Sequence, residues 1–150
     1  MSDLQDVADG VATALAAGSF VMPVTAVRVF DTQVDLPNLP AGGAILTVIG
    51  KSETTQMIDR GATLLDRFTV DCGIRGVPAD QETTSLDPYS TLVDQIRDYF
   101  WAELWPGEVV DIDTAEVTVP WSVKHLNEQN VFLAVVSFTF VRTRDVPERP

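Results

Sequence analysis

Phe68-Thr69-Val70-Asp71-Cys72-Gly73-Ile74-Arg75 is the stretch that decides the fold class. Phe68, Val70, Cys72 and Ile74 alternate with Thr69, Asp71, Gly73 and Arg75. Successive side chains on a strand point to opposite faces, so this pattern predicts a strand with one buried face and one wet face. Such strands suit an antiparallel sheet covered on one side.

Upstream, Ala44 to Ile49 reads as a largely apolar strand and Val24 to Asp31 as a valine-rich one. The turn-rich stretch Pro37 to Gly43 separates them. Gly50 to Gly61 is polar and carries both charge signs, and it reads as a long hairpin loop. At the front, Ser2 and Gln5 match a capping box. Leu4, Val7, Ala8, Val11, Ala14 and Leu15 then recur at helical spacing, and Gly18 is a natural stop. Downstream, Asp87-Pro88 supplies a cap and a first-turn proline. Tyr89, Leu92, Val93, Ile96 and Phe100 follow as a second helical stripe. Val109 to Val123 reads as an acidic strand that Pro120 marks as an edge or a break. Val131 to Arg142 is the strongest strand, and its apolar first half predicts a central place. The polar tail 143–150 is expected to fray.

The expected order is therefore α-β-β-β-α-β-β. It makes an α+β domain spanning 1–150, with two helices on one face of a mostly antiparallel sheet of about five strands. A chain of 150 residues suits one core, and it buries roughly 70% of its unfolded surface without help from a metal or disulfide.

The formal net charge is −12, from 22 acidic against 10 basic residues. This argues against gripping nucleic acid or anionic membranes, because both need clustered Lys and Arg. One cysteine, Cys72, and one histidine, His125, exclude an internal disulfide and any multi-cysteine metal site. The opening residues are acidic where a secretory signal is basic, and no apolar run reaches membrane-span length, so folding in a cytosol is expected.

Chemistry-bearing motifs are weak. Gly50-Lys51-Ser52 lacks the glycine five residues earlier that a phosphate loop requires, since Ile45 stands there. Cys72 and His125 are the one possible thiol–imidazole pair, but Cys72 sits on the apolar side of its strand. Asp111, Asp113 and Glu116, with Glu108 nearby, offer oxygen ligands for Mg²⁺ or Ca²⁺ without the spacing of a calcium loop. A solvated acidic edge is the better account of them. Phe100, Trp101, Leu104 and Trp105 form an aromatic-rich cluster that suits a core corner or a subunit interface. No feature supports an enzyme, a metal or a cofactor.

Several segments in order resemble the tail terminator, or tail-completion, proteins of long-tailed bacteriophages and prophages. They are the opening helix before Phe20-Val-Met-Pro-Val-Thr-Ala-Val-Arg-Val, the strand Ile45-Leu-Thr-Val-Ile with Asp59-Arg60 beyond it, and Phe68 to Arg75. The helix Leu92 to Phe100, then Pro120-Trp121 with Leu126, and the strand from Val131 complete the series, which spans about Val7 to Arg142. The resemblance implies a structural virion protein, assembled in the host cytoplasm, with no catalytic residue and no cofactor. It would form a homohexameric ring on the tail tube, stop tube growth, and meet the connector on the head side. DNA would pass through the ring without specific binding, past an acidic wall. Lys51, Glu53, Asp59 and Arg60, with Trp101 and Trp105, are the expected contacts to a neighbouring subunit or to the tube. Rival expectations are another ring of the neck, a small hydrolase using a metal on Asp111 and Asp113, and an acidic binding module.

Overall fold

A computed structural model describes residues 3–29, 43–76, 83–102, 111–119 and 132–146. The elements are α1 (Asp3–Ala16), β1 (Val24–Arg28), β2 (Ala44–Asp59), β3 (Thr63–Gly76), α2 (Thr83–Ala102), β4 (Asp111–Val119) and β5 (Phe132–Asp145). Their order is the expected one, and the class is α+β.

The strands form one sheet in the order β1-β2-β3-β5-β4. β1 runs parallel to β2, and the other three pairings are antiparallel. β5 is therefore interior, as its apolar first half requires, and the acidic β4 is an edge.

One face of the sheet carries Leu46, Val48, Phe68, Val70, Cys72, Ile74, Phe132, Ala134, Val136, Phe138 and Phe140, all buried. Both helices lie on it. α1 buries Val7, Ala8, Val11, Ala12, Ala14 and Leu15. α2 buries Tyr89, Leu92, Val93, Ile96 and Phe100, the whole of its predicted stripe. The Tyr89 ring packs on Phe132 at 5.1 Å, and Phe100 meets Phe138 and Phe140 edge-on at 5.1 and 5.3 Å. α2 thus runs from the start of β5 toward its middle. Each such aromatic contributes roughly 2–3 kcal/mol of burial. Gly76 lets the Tyr89 ring approach the sheet closely, since a Cβ there would fall 2.3 Å from that ring.

Four expectations need correction. Gly50 to Gly61 is not a loop: β2 continues to Asp59, and a tight turn at Arg60–Ala62 leads into β3. β3 begins at Thr63 rather than Phe68. β5 runs on to Asp145, so residues 143–145 of the polar tail are paired strand, while 147–150 lie outside the described residues. The physical reason is common to all three. In these extensions the apolar residues fall as adjacent pairs, Met57-Ile58 and Leu64-Leu65, and the buried inward position holds Asp66, so no apolar alternation appears in the sequence. Finally, α2 starts at Thr83, one turn before Asp87, and holds Pro88 inside it. Proline's fixed φ is helical, and lacking an N–H, Pro88 forfeits one backbone bond, to the Thr84 carbonyl in the first turn.

Candidate functional site

The strand extensions build one feature. Beyond Phe68 and Phe140, β2, β3 and β5 continue together as a three-stranded arm. Every residue from Lys51 to Ala62 is exposed. Nine residues from Lys51 to Asp59, at ~3.3 Å each, give an arm of roughly 30 Å.

The arm turns over at Asp59 to Ala62. The Ala62 N–H donates to the Asp59 carbonyl at 3.1 Å, and Gly61 has φ of 77°. That is the position where a type II turn requires positive φ. The Gly61 N–H also donates to Met57 Sδ at 3.3 Å. Met57 and Ile58, next to the turn, are each 52% exposed.

At the base of the arm stands Asp66, which is fully buried. Its cross-strand neighbours are Thr55 on β2 and Arg142 on β5. Thr55 Oγ1 donates to Asp66 Oδ1 at 2.7 Å. Arg142 Nε and Arg144 Nε both donate to Asp66 Oδ2, at 2.9 and 2.7 Å. Arg142 reaches further, giving its Nη2 to Asp3 Oδ2 at 2.7 Å, and its guanidinium lies 5.1 Å from the Phe68 ring. Burial alone pushes the Asp66 carboxyl up. Hydrogen bonds from Arg144, Thr55 and Arg142, with the charge of Arg144, outweigh that and hold it at about 2. The cluster ties all three strands of the arm to the start of α1.

On the opposite face Arg67 pairs with Asp113 at 2.7 Å, both partners being over two-fifths exposed. Such a pair contributes little. Asp113 is the extra residue of a bulge between Ile112 and Thr114, which interrupts the regular alternation that would put Asp111 and Asp113 on one face of the strand. Among the described residues no group of three or more His, Cys, Asp or Glu is placed to hold a metal ion. Cys72 is buried, and burial and the nearby Asp71 charge push its thiol up to about 12, so it stays protonated. His125, the imidazole of the possible thiol–imidazole pair, lies outside the described residues, as do Glu108, Leu104 and Trp105.

Of the expected contact residues, Lys51, Glu53 and Asp59 stand on the arm strand and Arg60 in its turn, all exposed. Lys51 Nζ comes to 4.0 Å from Asp71 Oδ2. Trp101 is 56% exposed in the last turn of α2, next in sequence to Phe100, whose ring packs on Phe138 and Phe140 of β5. The sequence reading missed Asp66, Arg142 and Arg144. A signal was available. Stepping back by two from Phe68 lands on Asp66, and stepping on by two from Phe140 lands on Arg142 and Arg144. Opposite charges thus continue the buried face of two adjacent strands.

No protein-family model matches the sequence, and no curated protein matches it.

Proposed function

We propose that this chain is a ring-forming structural protein of the phage neck. It ends growth of the tail tube and joins the tail to the head-side connector. The observation that carries the reading is the arm. The β2 strand of the arm is exposed along its whole length and adds nothing to the hydrophobic core, yet a buried ion cluster fixes the base of the arm. Such an element suits contact between molecules. The segment series from Val7 to Arg142 resembles tail terminators, and it supplies the identity of the assembly.

In this reading the protein's partners are other copies of itself, the tube protein below and the connector above. Lys51, Glu53, Asp59, Arg60 and Trp101 contribute contacts, and no catalytic residue is involved. The net charge of −12 gives the ring an acidic wall that repels DNA phosphates during passage.

Electron microscopy of the purified protein, alone and with tail tubes assembled from the tube protein, tests this. Six-fold rings and capped tubes of defined length are expected. Twelve-fold rings would reassign the chain to another neck component. Tubes that grow on unchanged, with no ring in either sample, would refute the proposal.

A further inference from the structure

The sheet has two edges of contrasting character. β4 is a blunted edge. It carries Asp111, Asp113 and Glu116 and is interrupted by bulges at Asp113 and Thr118. Charges and bulges of this kind discourage pairing with arbitrary strands. On the other side, β1 covers β2 along Ala44 to Val48, and the last backbone bond among the described residues is from the Val29 N–H to the Val48 carbonyl at 2.9 Å. From there to Asp59, no described strand lies against the outer side of β2.

That open edge reads Ser52-Glu53-Thr54-Thr55-Gln56-Met57 between two bulges, at Lys51 and Ile58. It holds one charge, no proline and two adjacent threonines. Nothing in it blocks a further strand, and an edge of this kind accepts one through main-chain hydrogen bonds.

We infer that the outer edge of β2 between Ser52 and Met57 pairs with the β4 edge of a second copy of this chain, head to tail. The occupant rests on the ring reading and on three observations. The first is charge. Half of the ten basic residues (Lys51, Arg60, Arg67, Arg142, Arg144) belong to the arm, with four of the acids, Glu53, Asp59, Asp66 and Asp145. The remaining eighteen acids face five bases. Two bodies repel each other, whereas Lys51 and Arg60 flanking the open edge complement Asp111 and Glu116. The second is direction. β2 and β4 run opposite ways within one sheet. Copies related by rotation about an axis inclined to the strands, as in a sheared barrel, present these edges antiparallel, the more stable arrangement. The third is length, since the nine residues of β4, two of them bulged, suffice to span the six from Ser52 to Met57.

The contact is heterologous, so it closes into a ring or runs on as a fibre. It also staggers the copies. Within one chain β4 lies level with Thr47 to Thr54 of β2, whereas the open edge extends to Asp59. The neighbour is shifted along the strand by roughly 15 Å, as strands in a closed barrel are tilted and sheared. Glu116 and Asp111 specify the partner by charge, and the bulges exclude strands lacking a matching profile.

Sedimentation equilibrium across a concentration series, at low and high salt, reads the contact. Lys51→Glu with Arg60→Glu should weaken association at least tenfold, and so should Asp111→Lys with Glu116→Lys. The four substitutions combined in one chain should restore it. All four sites are exposed, and near-unchanged melting of each variant serves as the fold control. Equal association of wild type and reversed-arm protein, or no restoration in the combined variant, overturns the pairing. If the reversed-arm protein still forms rings that cap tubes, the ring reading stands and this contact falls. A wild-type chain monomeric at every concentration overturns the pairing, and tube capping then decides the ring reading separately.

Discussion

The two halves of β3 belong to one unbroken strand but are held by different forces. From Phe68 to Ile74, every second side chain enters the apolar core beneath the helices. From Thr63 to Arg67, the inward position is taken by Asp66, whose partners are a hydroxyl and two guanidinium groups. The first half is stabilised by many weak, non-directional contacts, so losing one leaves the rest. The second depends on a few directional bonds to one carboxylate. The body and the arm are accordingly expected to behave as separate units of stability. A rigid arm on a stable body is what an intermolecular contact requires, because less ordering entropy is lost on binding.

The strongest way to break the body is to remove a ring at its centre. Phe138→Ala should cost ~3–5 kcal/mol, since Phe138 is fully buried against Phe100 and Phe140. Chemical denaturation should show a large drop in midpoint with both units lost together.

Asp66→Ala should strike the arm first. It leaves two guanidinium groups without their shared acceptor, and partial exposure of Arg144 limits the cost to ~2–3 kcal/mol. Hydrogen exchange should accelerate at Ser52 to Ile58 and Arg142 to Asp145 while Val70 to Ile74 stays protected. Equal acceleration in both regions would erase the proposed division.

The same carboxylate gives the arm a pH signature. Its folded value is depressed, to about 2 from an ordinary 3.8. The stabilisation is therefore complete above pH ~4 and is lost as pH falls toward 2, amounting to about 2 kcal/mol. Asp66→Asn should flatten that part of the acid limb. An identical acid limb in wild type and Asp66→Asn would show that the cluster does not hold the charged form.

The smallest effect is expected at the tip. A Cβ on Gly61 meets nothing within 4 Å, so Gly61→Ala is strained only by the positive φ, at ~1 kcal/mol. Faster exchange confined to Met57 to Thr63 would place that cost within the arm, and a change in body protection would blur the boundary.

The element types of the body were legible in the sequence because burial writes a period into it. The stripes of α1 and α2 and the alternation from Phe68 to Ile74 each record one face hidden from water, and those residues are the core. The acids of β4 likewise announced an edge, and the structure places that strand at one. The arm left no such record. Lys51 to Asp59 is wet on both faces, so the chain there is extended only because β3 supplies its hydrogen-bond partners. Asp66, Arg142 and Arg144 lie 76 and 78 residues apart, and their meeting depends on the pairing of β3 with β5. Sequence by itself determined which residues leave water and hence which segments are helix or strand, because side-chain hydrophobicity is local. The tertiary structure alone decided strand order, the parallel place of β1, the stretch of β2 that no described strand covers and the clamp beneath the arm, because backbone pairing and buried ion clusters join residues that the chain keeps far apart.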